Sequence, residues 1–486
     1  KNCLNLFKLV KSYHDLNFAN IKVCKLSKPK EIVNQKLPFL YSFFSDLNRH
    51  YFSNYSRDIL NINQIENYNQ KEKELFYNVI DLKQKGIKGL VNTGEEIISN
   101  KTPTNKYYYE YSRQNKDFSN TKFYKEVTLK KISKTNNPKL AWKHVSMNPN
   151  SNKKWQQTIE ISPVYFNGKI FYISADFKLI AIDITNGKVL WQKELLHSPS
   201  RRGFIIERDK QNNENIYIGI ESNIYKINAQ NGDLIRTFGK NGSIENAKTR
   251  FSPVIFENNL IIVTPYNVNA YDKDTGEKKY SIPFFKNKNF FGGLPWGGMA
   301  LDEERGAVYF TTGNPRPKAY GVNRPGINEA SNSLIAVNLL EKKVKWIFQE
   351  TFHDLWNLDV AFPPIITTLE VKKKKFDVVI VLTKVGNFIM LERTSGKPIF
   401  DINLTKVPKS KISSEITSPY QIKIIRPEPI TKFEWSLSDM NKLDKKITNQ
   451  IIKNLDDYDY GYFKPPLPNK SFIFLAEGPI WEGATI

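Results

Sequence analysis

The chain has 486 residues, 40% of them hydrophobic and 13% aromatic, which suits two or three domains or one large repetitive one. Its net charge of +23 comes from lysines scattered among asparagine and isoleucine. That reads as a compositional bias that can draw in anionic ligands, and it argues against a nucleic-acid binder, whose charge gathers on one face. No run of 18 apolar residues predicts a transmembrane helix, and the two cysteines, Cys3 and Cys24, leave the redox compartment open.

The chain begins at Lys1 with no signal peptide in view, so the start is expected to be processed or missing. Residues 1–105 are rich in Asn, Lys and Tyr. They show no repeat, have helical character near Glu72 to Leu82, and receive no fold assignment.

From residue 106 to 486 the pattern changes to short hydrophobic runs broken by turns. Asp183-Ile-Thr-Asn-Gly187, Asn228-Ala-Gln-Asn-Gly232, Asp272-Lys-Asp-Thr-Gly276 and Glu392-Arg-Thr-Ser-Gly396 form one family of loops, joined by Asn338-Leu-Leu-Glu-Lys342. Gly187, Gly232 and Gly276 are 45 and 44 residues apart, the period of four-stranded propeller blades. The glycine supplies the positive φ of a turn. Four residues after each turn stands Trp191, Tyr280, Trp346 or Phe400, a ring placed to pack between neighbouring blades. The second repeat departs, with Arg236 there. A β-sandwich with hairpins is the other fold compatible with such runs, and the fixed period disfavours it. The stretch holds about six or seven blades at this period. It stops at Ile486 within what reads as the opening of another, so a C-terminal truncation is expected, since an open sheet edge is a liability.

Several longer motifs then bring a resemblance. Tyr111-Ser-Arg-Gln-Asn115, Phe123 and Leu140-Ala-Trp142 are followed by Gly292-Gly-Leu-Pro-Trp296 and Thr312-Gly-Asn314-Pro315. Next come His353-Asp354-Leu-Trp356-Asn357-Leu-Asp359 and Thr383-Lys384-Val-Gly-Asn387, and last a tail with Phe463-Lys-Pro-Pro466, Phe474 and Trp481-Glu-Gly483. Together they resemble the pyrroloquinoline quinone (PQQ) dehydrogenases over about three quarters of the chain, and the glucose dehydrogenase branch most of all. The resemblance implies an all-β, eight-bladed propeller holding PQQ and a divalent metal in its central funnel. The metal would be calcium first, with magnesium or a lanthanide as alternatives. It implies oxidation of an aldose sugar or alcohol, with electrons passed to a quinone or cytochrome. It also implies a periplasmic location with peripheral contact to the inner membrane.

The same resemblance suggests site residues. Trp296 stands 18 residues before Asn314, the family's spacing between a stacking Trp and a metal-binding Asn; a Trp docking two blades is its other reading. Asn314 offers a carbonyl oxygen suited to a hard ion, or simply occupies a turn. Glu160 matches a position near the quinone edge, or is an ordinary strand Glu. Arg202 matches a residue that binds a PQQ carboxylate, where a bidentate, charge-assisted pair would form. Lys384 matches a donor to a quinone oxygen. At Asn357 the family has an Asp that serves as metal ligand and base, and an amide cannot act as that base. Asp354 and Asp359 are the carboxylates near it, and strand alternation would put Asp359 on the face of Asn357 if this stretch is extended. The metal ligands are therefore expected among Asn314, Asn357 and Asp359. The family's acidic ligand before the third repeat's turn is missing from Val263-Thr-Pro-Tyr-Asn-Val-Asn269, and His353 reads as structural. The alternative to an enzyme is a non-catalytic propeller of PQQ-like repeats acting as a binding or assembly scaffold.

Overall fold

The structure, a computed structural model, describes residues 86–91, 97–101, 111–122, 139–146, 161–285 and 291–473, apart from 319, 372, 413, 443, 468 and 469. The helical segment near Glu72 to Leu82, both cysteines, Phe123, Glu160 and the tail from residue 474 onward lie outside the described residues. Strands dominate, and five four-stranded antiparallel sheets occur among the described residues.

The first sheet takes Val164–Phe166, Lys169–Ile173, Lys178–Asp183 and Val189–Glu194 in chain order. The second takes Ile205–Arg208, Glu214–Ile220, Asn223–Asn228 and Ser243–Ile244. The third takes Val254–Phe256, Asn259–Val263, Asn267–Asp272 and Lys278–Pro283, and the fourth Pro295–Asp302, Ala307–Thr312, Ser333–Asn338 and Lys343–Gln349. The fifth takes Ile365–Val371, Lys374–Leu382 and Phe388–Glu392, with Ile97–Lys101 paired to Ile365–Val371. A second early segment, Gly86–Ile87, pairs with Ile402–Lys406. Part of the stretch before residue 106 is thus stitched to late strands.

The central strands are apolar on both faces because each sheet is covered on both sides. In Glu214–Ile220 every residue is buried. Ile216 and Ile218 join Phe166, Phe171 and Leu179 of the first sheet, while Tyr217 joins Val254, Leu260 and Ile262 of the third. The strand Ala307–Thr312 repeats the device. Val308 and Phe310 face the third sheet's core, and Tyr309 packs with Ile366, Val379 and Val381 of the fifth. The period of two in a strand therefore welds one sheet to both neighbours. The last strand of the first sheet, Val189–Glu194, is by contrast alternately exposed and half-buried. Consecutive four-stranded sheets packed face to face match a β-propeller.

The repeated turns explain the docking. Gly187, Gly232, Gly276 and Gly396 all have φ near +70° (71, 76, 76 and 69°), and each backbone N–H donates to the carbonyl four residues earlier. Three indoles each act on the next repeat's turn. Trp142 lies on Gly187, Trp191 on Gly232 and Trp346 on Gly396; a Cβ on any of these glycines would stand 2.6–2.7 Å from the indole. The three indole N–H groups donate to Ile184 O (2.8 Å), Ala229 O (3.1 Å) and Arg393 O (3.0 Å) of the turns they cover. Tyr280 has the glycine-free turn beside it, with the Lys342 ammonium 5.0 Å from its ring centre. Where Arg236 replaces a ring, backbone fills the gap: Gly239 N donates to Thr275 O at 2.8 Å, directly against Gly276.

A separate segment, 111–122, is buried almost throughout and crosses the middle of the fold. Its carbonyls at Tyr111, Ser112, Phe118 and Ser119 accept from Tyr165, Ile206, Leu301 and Ile366, on the first, second, fourth and fifth sheets. Both terminal guanidinium nitrogens of Arg113 donate to Met299 O, and Asn120 Nδ2 donates to Met299 O and Pro364 O. Burial lowers the Arg113 guanidinium to about 10, with Asp117 opposing the shift. This plug places Gln114 against Gly203, next to Arg202.

Candidate active site

A cavity of about 770 Å³ opens between the loops that follow and precede these strands. Trp296, Arg202, Asn314, Asn357, Asp359 and Lys384 all line it, although they are spread over nearly two hundred residues of sequence. Asp354 does not.

Trp296 begins the fourth sheet, where the register shifts between Pro295 and Met299 and frees the ring end of the strand. The Arg202 guanidinium lies 4.9 Å from the indole centre, a cation–π contact at the foot of the cavity. Arg202 is held by its backbone beside Phe251, and its carbonyl accepts from Ser252 N at 3.1 Å.

Asp359 is the hub. Its Oδ1 accepts from Trp296 Nε1 (3.1 Å) and from Asn314 N (2.9 Å), and its Oδ2 accepts from Lys384 Nζ (3.0 Å). Lys384 Nζ also donates to Asn357 O at 3.1 Å. The two amides meet, with Asn314 Nδ2 donating to Asn357 Oδ1 at 3.1 Å. This close convergence depends on Gly313, where a Cβ would stand 2.4 Å from Asp359 Oδ1 and 2.7 Å from Trp296 Nε1.

Residues 357 and 359 share the cavity, but not by strand alternation as the sequence suggested. The stretch 351–362 forms no strand, and Asn357 takes a left-handed φ of 64°, which Asn tolerates. Asp354 builds this loop. Fully buried, it accepts from Trp356 N (2.7 Å) and Asn332 Nδ2 (3.0 Å), and from Leu358 N (2.8 Å). Burial pushes its carboxyl up, against those hydrogen bonds. Asp354 is therefore a loop-forming group, set behind the cavity wall. His353 is also buried, and its Nδ1 lies 2.8 Å from Gly326 O. Desolvation, with Arg324 nearby, lowers it to about 3, so it is a neutral structural ring.

Sequence reasoning missed Glu350. Its Oε1 accepts from Thr383 Oγ1 (2.7 Å) and Asn387 Nδ2 (2.8 Å), the two polar ends of the turn that presents Lys384. Burial raises it to about 7, and Oε2 makes no hydrogen bond. The signal in the sequence was an acidic residue three positions before the His353-Asp354 motif.

The cavity's electrostatics are lopsided. Among the described residues, Arg201, Lys248, Arg250, Arg316 and Lys318 add to Arg202 and Lys384, against Asp359 and Glu221. A planar tricarboxylate such as PQQ fits this wall, which offers an indole, guanidinium groups and an ammonium. A divalent metal does not fit it as arranged. Asp359, the carboxylate among the described residues of the inner wall, has N–H donors on both oxygens, and the two amides share a hydrogen bond that takes up Asn357 Oδ1. Among the described residues no three His, Cys, Asp or Glu side chains gather to hold an ion.

Consecutive four-stranded sheets with a basic, tryptophan-lined cavity at their loops define the class as a β-propeller. The family model for the PQQ glucose/ethanol/alcohol dehydrogenase β-propeller domain matches residues 112–486, and the chain belongs to that family. Its relatives include quinoprotein glucose dehydrogenase A of Acinetobacter calcoaceticus, 24% identical over 68% of this chain and 49% of that protein. Quinohemoprotein alcohol dehydrogenase of Comamonas testosteroni is 27% identical over 55% of this chain and 43% of that protein. The chain spans about half the length of the curated relatives it matches. A solved europium-containing methanol dehydrogenase shares the fold, with a TM-score of 0.50 and 19% identity over 65% of this chain and 62% of that one. The family implies PQQ and usually a divalent metal.

Proposed function

We propose that this protein is a quinoprotein dehydrogenase that oxidises an aldose sugar or an alcohol with PQQ and passes the electrons to a quinone or cytochrome. What supports this reading is the convergence of Trp296, Arg202, Asn314, Asp359 and Lys384 on one basic cavity. Calcium, expected from the resemblance, is not part of the reading, because the oxygens of Asp359 and Asn357 are already engaged by N–H donors. A periplasmic location with peripheral membrane contact goes with this function; among the described residues no helix is long and apolar enough to cross a membrane.

PQQ would supply the capacity to accept two electrons, which no side chain here has. The chain's own groups would do the rest. The Trp296 indole forms the platform, and Arg202 pairs with a carboxylate of the cofactor. The Lys384 ammonium donates toward the oxygen on which negative charge grows. Asp359 receives the proton of the substrate hydroxyl, and Asn314 and Asn357 brace it. Glu160 is assigned the quinone edge on the resemblance alone.

The full-length protein, reconstituted with PQQ and given a panel of aldoses and alcohols, is expected to reduce an artificial electron acceptor. Bound quinone without turnover across the panel would reject the dehydrogenase reading. Asn357→Asp separates an active from an impaired site: a large gain in turnover marks the natural residue as the limit.

A further inference from the structure

We propose that this protein binds its quinone without a divalent cation, with the Lys384 ammonium standing where the cation would. The inference rests on the reading that the cavity holds PQQ. Four observations carry it.

The first is the state of Asp359, the acid among the described residues of the inner wall. Asp359 receives three N–H donors, from Trp296, Asn314 and Lys384, at 2.9–3.1 Å. A calcium ion seeks six to eight oxygen ligands and tolerates no N–H at those positions. The second is the amide pair. Asn314 spends an N–H on Asn357 Oδ1, so the oxygen of one and the nitrogen of the other are committed. The third is the connection Val263 to Asn269, where Asn269 Nδ2 donates to Thr264 Oγ1 at 3.3 Å and no carboxylate is present. The fourth is charge. Seven basic residues line the cavity against two acidic ones, so a further dication would enter a field that repels it.

Lys384 is built to take the role. It is only 5% exposed, and its ammonium donates to Asp359 Oδ2 and to Asn357 O. Its turn is pinned at both ends to the buried Glu350. A fixed single charge placed this way can face an anionic oxygen of a ligand while holding Asp359 in orientation.

The test is equilibrium binding of PQQ to the full-length protein, followed by quenching of tryptophan fluorescence and by calorimetry, in excess EDTA and in saturating CaCl2. The two dissociation constants are expected to agree within about twofold. Binding about tenfold or more tighter with calcium overturns the inference and leaves the quinone reading intact. No binding under either condition overturns both. Lys384→Met is expected to weaken binding in EDTA by about tenfold or more, and Lys384→Arg to restore most of it. Binding of Lys384→Met at the wild-type level, with an unchanged circular dichroism spectrum, also overturns it. The wild-type comparison stands on its own should a variant fail to fold.

Discussion

Gly313 governs how near the indole of Trp296 and the carboxylate of Asp359 can come. Gly313→Ala would force a methyl into a gap of 2.4 Å, so the hub must open. The expected cost is about 1–3 kcal/mol of stability together with weakened quinone binding, read by thermal denaturation and fluorescence titration. Asp359→Asn keeps the shape and removes the proposed proton acceptor. Turnover is then expected to fall by about 10²–10⁴-fold in steady-state assays. Glu350 carries the pH dependence. Its carboxyl is raised in the folded state from 4.5 to about 7, chiefly by burial, so the folded protein favours the protonated form. That contribution is complete at acid pH and is lost as pH rises through about 7. Thermal melts of wild type and Glu350→Gln are expected to converge at low pH, with the variant the more stable above neutrality. At this scale the sequence was informative where a side chain sits in a motif. Trp296, Asn314, Asp359 and Lys384 could be named from spacing and resemblance. Asp354 could not be told from Asp359, because which carboxylate turns inward depends on a left-handed residue at Asn357 that strand alternation does not foresee. Glu350 was silent, since its neighbours Thr383 and Asn387 lie more than thirty residues away.

The repeating element is a ring on the following repeat's glycine. Trp142, Trp191 and Trp346 each cap a turn and donate an N–H into it, which fixes the angle between sheets with one bond and one flat contact. Trp191→Ala is expected to cost about 3–5 kcal/mol, and Gly232→Ala about 1–2 kcal/mol through its φ of 76° even before the clash with the indole. Denaturant titrations of both variants would check the order. The turns and rings were legible because they recur at a constant interval, and the positive φ of their glycines follows from the hairpin they close. Arg236 shows the limit of that reading. A missing ring predicts a loose joint, whereas backbone from Gly239 supplies the contact.

Over the whole molecule, the charge of +23 comes from scattered lysines, and the cavity adds a local excess, with seven basic residues against two acidic ones among the described residues that line it. Affinity for an anionic quinone is therefore expected to drop by about tenfold between low salt and roughly 0.5 M NaCl, measured by the same titration, because mobile ions screen the partly open wall.

The buried crossing segment has a consequence for how the chain is made. Arg113 finds its acceptor 186 residues downstream, at Met299, and Asn120 finds one 244 residues downstream, at Pro364. A ribosome therefore releases the guanidinium and the amide long before the carbonyls that receive them exist. Partners so remote in sequence are slow to meet, so the nascent polypeptide must wait, incompletely assembled, until its fifth sheet emerges.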